Sequence, residues 1–180
     1  MRLVRSKLAV FIALLTAMLL AVTTGFADEW KHTGTGVRVK TIVVVDVDVY
    51  QISHYMKELP ATKSKRAVID AETGKKIVLK MLRDVEKEKM IQALRDAYAM
   101  NGYSDKAKID KAMSVVTAEL KENTLVTIQY DAEKKTTSIN MAGGGRTTIE
   151  GADFMKATWS IWFAKIDQPS LGDKLISKIP

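Results

Sequence analysis

The most regular pattern in the chain is an alternation of β-branched and polar residues over positions 37–56. Its valines and aspartates fall on opposite faces, with Val43, Val45, Val47 and Val49 on one and Asp46 and Asp48 on the other. A period of two is that of an extended strand. We therefore predict one long strand over residues 37–56, buried on its valine face, after a polar lead-in at 28–35.

Two later segments repeat their apolar residues at the period of a helix. The first is predicted over residues 84–100, with Asp84 as its N-cap. Its apolar stripe is Val85, Ile91, Leu94 and Tyr98. The second is predicted over residues 105–120, capped by Asp105 or its neighbour Ser104. Ahead of them we predict two shorter elements, a helical turn over 63–70 and a strand over 77–82.

The last third of the chain predicts a hairpin, a third strand and a helix. We expect strands at 125–130, 136–141 and 146–149, a helix at 152–163 and a short terminal helix at 171–179. The three glycines at 143–145 are interpreted as a hairpin turn, because a strand follows them and not the lysine and helix of a phosphate-binding loop. Trp159 and Trp162 are interpreted as packing residues on the wide apolar face of the helix.

Strands before and after a helical pair, joined by short connections, favour an α+β fold with helices layered on one face of a twisted antiparallel sheet. The space between such a sheet and its helices is the natural place for a ligand cavity, with apolar walls and a few polar groups at its rim. One domain over residues 28–180 accounts for all of these elements.

The first 27 residues have the organisation of a secretory signal peptide. Arg2, Arg5 and Lys7 form a basic start, residues 8–22 are apolar apart from one threonine, and Gly25-Phe26-Ala27 places small residues where a signal peptidase cuts. We predict cleavage after Ala27 and a periplasmic or secreted protein without a membrane span in its mature form. An uncleaved membrane anchor is the alternative.

Composition narrows the chemistry of the mature chain. Removal of the signal takes three of the 28 basic residues and leaves 25 against 21 acidic ones, a net charge of +4 in place of +7. The lysines alternate with acids and no arginine-rich patch appears, so nucleic-acid binding is not expected. The chain has no cysteine, and His32 and His54 lie far apart without acids at ligand spacing. Neither disulfides, a metal site nor a cofactor is expected, and both histidines are interpreted as surface or strand residues.

Arg38 poses the main problem in the sequence, because it stands beside a strand predicted to be buried and its guanidinium stays charged. On its own it is interpreted as a strand-edge residue that pairs with Asp46, Asp48 or solvent. Tyr50 taken alone is interpreted as a core tyrosine whose hydroxyl is satisfied at the edge of the core.

Taken in order, four segments of the chain resemble the chalcone isomerase-like family. They are Gly34-Thr35-Gly36-Val37-Arg38; Asp48-Val49-Tyr50 followed by Tyr55; Asn101-Gly102-Tyr103-Ser104-Asp105; and Gly151-Ala152-Asp153-Phe154 leading to Ile161-Trp162-Phe163. The resemblance spans nearly the whole mature chain and rests on the order and spacing of these segments. It implies an open-faced β-sandwich, one antiparallel sheet with a layer of helices on one face, which agrees with the fold predicted from the pattern.

Members of this family either cyclise a chalcone to a flavanone or only bind fatty acids, and the resemblance implies which residues distinguish them. The family arginine, which meets a substrate oxyanion or a carboxylate, matches Arg38. Tyr50 stands where the fatty-acid binders carry tyrosine and the isomerases threonine. The tyrosine, lysine and asparagine of the isomerases fall at about Val85, Glu88 and Gln92, so none of the three is retained.

The resemblance therefore favours a non-catalytic protein that binds a fatty acid or a similar amphipathic carboxylate, with Arg38 and Tyr50 as ligand-binding residues. Glu88 would repel the enolate that an isomerase must stabilise. Burying about fourteen methylenes contributes on the order of 11 kcal/mol before ordering costs, against roughly 1.5 to 3 kcal/mol for the head contact. An isomerase acting on an enone or phenolic substrate is the alternative, and an envelope protein with a vestigial pocket and a protein partner is a third.

The two ligand-binding residues must also meet in space. Twelve residues of straight strand at about 3.3 Å each would separate Arg38 from Tyr50 by roughly 40 Å, too far to share a ligand. A chain reversal is therefore required between them, although Lys40-Thr41 offers only weak turn chemistry.

Overall fold

The computed structural model describes residues 29–180, so the signal peptide predicted at 1–27 lies outside the described residues. The described strands form one antiparallel sheet in which each strand pairs with the next along the chain. They are β1 Lys31–Ile42, β2 Val45–Met56, β3 Lys75–Met81, β4 Leu125–Asp131, β5 Thr136–Met141 and β6 Arg146–Glu150.

Five helices accompany the sheet in this part of the chain. They are α1 Lys65–Asp70, α2 Lys87–Met100, α3 Lys106–Met113, α4 Ala152–Phe163 and α5 Pro169–Leu175. The central helix is α4, which buries eight of its twelve residues. It contacts α1, α2, α5 and the sheet at β5, while α5 lies against β1.

Burial alternates along the strands, so only one face of the sheet is covered. On β2, Ile52, His54 and Met56 are buried, whereas Ser53 and Tyr55 between them are partly exposed. The buried positions of β3, β4 and β5 alternate in the same way. This is the pattern of an antiparallel sheet with helices on one face, and it confirms the predicted α+β fold.

The prediction of a single strand over residues 37–56 is wrong, because the chain reverses at Val43-Val44 and folds β2 back onto β1. Val43 takes a left-handed backbone conformation, with φ of 59°, which β-branched residues rarely adopt. Valine favours extended structure and gives no turn signal, so the sequence pattern conceals this reversal. Val43, predicted to lie on the buried face of the strand, is at the tip of the hairpin and is 92% exposed. Most of the predicted polar lead-in at 28–35 belongs to β1.

The helix α2 begins three residues later than predicted. Asp84 is not its N-cap, because the Asp84 carboxylate instead accepts a hydrogen bond from the backbone N–H of Glu122 at 2.8 Å. Val85, predicted to lie in the apolar stripe of this helix, pairs with Leu120 in an isolated β-bridge. The bridge holds the start of α2 against the segment that leads into β4.

The helix α3 is capped as predicted but ends early, at Met113. Asp105 accepts a hydrogen bond from the backbone N–H of Lys108 at 3.0 Å, as an N-cap does. Residues 114–120 leave the helix and run to the bridge at Leu120. The predictions of α1, β3 to β6, the glycine turn and α4 are confirmed to within two residues, and the terminal helix lies two to four residues earlier than predicted.

Two glycines in β1 allow α5 to lie directly against this strand. A Cβ at Gly34 would overlap the carbonyl oxygen of Lys174, and one at Gly36 would come within 2.6 Å of Leu171 Cδ1. The atoms met at Gly34 belong to the backbone of Lys174 and Leu175, so a larger residue there would push α5 away from the sheet. The glycines therefore determine where the connection before α5, residues 164–168, passes along β1.

A buried hydrogen-bond network joins β1, β2, α4 and α5. The indole N–H of Trp159 donates to Nε2 of His54 at 2.9 Å. Because Nε2 is the acceptor, the proton of the neutral imidazole is on Nδ1, which donates to Thr33 Oγ1 at 2.6 Å. The Thr33 hydroxyl donates onward to the carbonyl of Leu175 at 2.8 Å. His54 is thus a strand residue, and it lies fully inside the core.

The network predicts that acid weakens the fold through His54. Burial, together with the charges of Lys75 and His32, lowers the pKa of His54 to about 3 from its ordinary value of 6.5. Between these two values the unfolded chain binds more protons than the folded one, so stability is lost as the pH falls. We expect this residue to remove about 1 kcal/mol of stability per pH unit.

Urea denaturation at pH 6.5 and 4.5 measures this loss. His54→Gln, which does not titrate, should lose less stability over this interval than wild type does. Equal losses in wild type and His54→Gln would contradict the assignment.

Candidate ligand-binding site

A cavity of about 500 Å³ lies where the β1–β2 hairpin, α2 and the end of α4 meet. Its floor is mostly apolar and includes Met90, Leu94, Ile161 and Trp162. Its rim is polar and includes Lys40, Lys89, Lys165 and Asp167. Small-molecule sites have volumes in this range. The prediction of a cavity between the sheet and the helix layer is confirmed.

Arg38 and Tyr50 both line this cavity. The reversal at Val43-Val44 places them directly opposite one another, Arg38 on β1 and Tyr50 on β2. Side chains of directly opposite residues stand on the same face of a hairpin and lie close together. The reversal that the sequence required is therefore present, at a point three residues beyond Lys40.

A β-bulge lies at this point of the hairpin. Arg38 pairs with Tyr50 and Val39 with Asp48, which leaves Val49 without an opposite residue on β1. Regular alternation would send Val49 and Tyr50 to opposite faces of the sheet, yet both line the cavity. The bulge accounts for this arrangement, since an extra residue in one strand redirects its side chain.

The side chain of Arg38 is only 14% exposed, and its guanidinium has several polar partners. Its Nη2 lies 2.6 Å from Oδ1 of Asp167, and the other oxygen of that carboxylate lies 2.7 Å from Nζ of Lys40. Its Nη1 donates to Oε1 of Gln168 at 3.3 Å and to the carbonyl of Val39 at 3.0 Å. The charge is therefore compensated by a segment distant in sequence.

The partners predicted for Arg38, Asp46 and Asp48, are wrong. Asp46 lies beside the tip of the hairpin, where it accepts a hydrogen bond from the Thr41 hydroxyl at 2.7 Å. Asp48 is exposed opposite Val39. Neither carboxylate pairs with Arg38, whose acidic partner is Asp167, and a pattern interpreted as one strand could not show this.

Asp167 is an ionised carboxylate shared by two cations. Burial alone would raise the pKa of Asp167, but the hydrogen bond from Lys40 and the charge of Arg38 outweigh burial and lower it. Asp167 itself stays 48% exposed, so the ion pair has solvent on one side.

Gln168 secures the edge of β1 beside the site. Its side chain accepts from the backbone N–H of Val39 and donates to the carbonyl of Val37, both at 3.0 Å. Two backbone groups of an edge strand are thereby satisfied. Sequence reasoning missed Asp167 and Gln168, because only the packing of α5 on the glycines of β1 brings them to Arg38.

The Tyr50 hydroxyl is held by Trp162, whose indole N–H donates to it at 3.0 Å. An indole N–H can only donate, so the hydroxyl keeps its own proton for another acceptor. Burial raises the pKa of Tyr50 more than the Trp162 hydrogen bond and the charge of Arg38 lower it. Tyr50 is therefore a neutral donor. Trp162, predicted to be a packing residue, is buried and also positions this hydroxyl.

The cavity is polarised from a positive rim to an apolar interior. Four basic and two acidic side chains line it, namely Arg38, Lys40, Lys89 and Lys165 against Asp96 and Asp167. A smaller cavity of about 60 Å³ is lined almost entirely by apolar residues. It shares five lining residues with the larger one, namely Tyr50, Met90, Leu94, Ile161 and Trp162. This arrangement suits an amphipathic anion, since the excess positive charge attracts the head and the interior accepts the tail.

The positions matched to the isomerase residues face the cavity only in part. Val85 and Gln92 line the cavity, whereas Glu88 is not among the lining residues. The repulsion expected from Glu88 is therefore wrong, because its neighbour Lys89 faces the cavity and adds a positive charge to the rim.

Two further properties hold for residues 29–180. None of the helices there is both long and apolar enough to cross a membrane. No three histidine, aspartate or glutamate side chains of the same residues form a group that could hold a metal ion.

Comparison with known proteins gives the same fold. The family model described as chalcone isomerase-like matches residues 21–174. Among solved structures, the crystal structure of a fatty-acid binding protein from Arabidopsis thaliana is similar, with a TM-score of 0.65 and 15% sequence identity over 85% of this chain and 90% of that chain. A search of the curated proteins gives no match. The chain belongs to the chalcone isomerase-like family.

Proposed function

We propose that this protein binds a fatty acid or a similar amphipathic carboxylate in the cavity between its sheet and its helices, without catalysing a reaction. The observation that carries the proposal is the position of Arg38, a permanent cation only 14% exposed at the edge of a mostly apolar cavity. The neutral hydroxyl of Tyr50 stands opposite it as a second donor. When the carboxylate of a fatty acid contacts both groups, its hydrocarbon tail lies along the apolar floor of the cavity.

The structural neighbour supports this ligand class, since the Arabidopsis protein of the same fold is a fatty-acid binding protein. Family membership also leaves an isomerase open, but the cavity favours it less. The three positions matched to the tyrosine, lysine and asparagine of the isomerases carry Val85, Glu88 and Gln92, so none of these three side chains is retained.

The two ends of such a ligand contribute differently to binding. Each methylene removed from water contributes about 0.8 kcal/mol, so a long chain supplies most of the binding free energy. The charge-assisted contact with Arg38 contributes roughly 1.5 to 3 kcal/mol and fixes which end of the ligand is at the rim.

The place of action that we propose is the periplasm or the extracellular space. The basic start, the apolar stretch and the small residues Gly25 and Ala27 support export. Cleavage after Ala27 would leave the described fold intact, because β1 begins at Lys31.

Removal of the guanidinium tests the head contact. Arg38→Ala should weaken binding of dodecanoate by about 10- to 100-fold in isothermal titration, the loss of one charge-assisted contact. Arg66→Ala is the matched control, because Arg66 also pairs with a carboxylate, that of Asp70, but lies on α1 outside the cavity. Arg66→Ala should bind as wild type does. Absence of fatty-acid binding in wild type, or equal binding by wild type and Arg38→Ala, would contradict the proposal.

Filling the cavity tests the place of the tail. Ala93 is an exposed residue of α2 that lines the cavity, and Ala93→Trp should weaken dodecanoate binding at least tenfold by occupying the space of several methylenes. Ala99 is also exposed on α2 but does not line this cavity, so Ala99→Trp is the control. Thermal denaturation checks that both variants stay folded. Unchanged affinity in folded Ala93→Trp would place the ligand elsewhere.

A further inference from the structure

The head site of the cavity already holds a carboxylate that belongs to the protein. Asp167 lines the cavity and puts Oδ1 at 2.6 Å from Nη2 of Arg38. This is the kind of contact that a ligand carboxylate would make with the same guanidinium. A second carboxylate arriving at Arg38 meets the negative charge of Asp167 at close range.

Asp167 also has a second cationic partner, which it keeps when a ligand displaces it from Arg38. Its other oxygen, Oδ2, lies 2.7 Å from Nζ of Lys40, whose side chain is 55% exposed. Asp167 is itself 48% exposed and lies between α4 and α5, in neither helix. Loss of its contact with Arg38 would therefore bury no unpaired charge and break no helical hydrogen bond.

A purely structural partner would be arranged differently. The guanidinium of Arg38 is fixed by Gln168 and by the carbonyl of Val39 through Nη1, without Asp167. Asp167 contacts Nη2, whereas Val39 and Gln168 contact Nη1. Asp167 thus occupies Nη2, where a ligand carboxylate would bind. The contacts that position the guanidinium are made by other groups.

We propose that Asp167 is a built-in competitor for the head site, whose carboxylate occupies Arg38 in the empty protein and is replaced there by the carboxylate of the ligand while it stays on Lys40. The inference rests on the proposed function and adds a determinant of ligand affinity. A neutral head such as an alcohol forms no ion pair with Arg38 and leaves Asp167 in place, so the competitor lowers the affinity of ionised carboxylates alone.

Titration of Asp167→Asn with two ligands of equal chain length tests the proposal. Dodecanoate should bind this variant on the order of tenfold more tightly than wild type, because a like charge beside the bound carboxylate is removed. Dodecanol should bind both proteins equally, because it carries no charge. Asp167→Glu restores the charge and should return dodecanoate affinity to near the wild-type value.

Asp173→Asn is the control for removing an acid close in sequence. Asp173 pairs with Lys65 at 3.0 Å, is 62% exposed and does not line the cavity, so its neutralisation should leave dodecanoate affinity unchanged. Thermal denaturation of each variant confirms that it is folded.

The possible outcomes separate the inference from the proposed function. Weaker or unchanged dodecanoate binding by Asp167→Asn would show that Asp167 only supports Arg38 and would overturn the inference. Equal tightening for dodecanol would show a general opening of the cavity and would also overturn it. If wild type binds dodecanoate and Arg38→Ala binds it more weakly, the proposed function holds whichever of these two results is obtained. If wild type does not bind dodecanoate, the proposed function and the inference both fail.

Discussion

A guanidinium cannot lose its proton, and this constraint governs how the cavity end of the fold is built. Arg38 is 14% exposed, and an uncompensated charge at that depth would cost several kcal/mol. Three groups at short distances from the guanidinium compensate its charge, namely Asp167, Gln168 and the carbonyl of Val39. The pairing leaves solvent on the side of Asp167.

Three backbone features bring these groups together, and each has a local physical cause. The reversal at Val43-Val44 places Tyr50 opposite Arg38, at the cost of a left-handed valine. The bulge at Val49 lets two neighbouring residues face one cavity. The glycines of β1 let α5 approach the strand, so that the residues before α5 reach the guanidinium. The site is therefore a product of packing between the first hairpin and the last two helices.

The sequence predicts the fold better than it predicts the site. Periods of two and 3.6 residues locate α4 and the strands from β3 to β6 to within two residues, because each has one buried face and ends at a turn or cap. The sequence does not predict the turn of the first hairpin, because the valines at 43 and 44 lack the turn propensity of glycine or asparagine. Asp84 resembles an N-cap, yet a long-range contact with Glu122 takes its carboxylate. Arg38 and Tyr50 can be singled out by resemblance, whereas Asp167 gives no local signal.

We propose that the cavity holds the carboxylate of an amphipathic ligand at Arg38. Native mass spectrometry of the protein, purified without detergent from the cells that make it, can detect such a ligand without presuming its identity. We expect a bound mass that corresponds to a fatty acid or similar carboxylate on wild type, and its loss from Arg38→Ala purified in the same way. A wild-type protein that is always empty, or a lipid retained equally by both proteins, would contradict it.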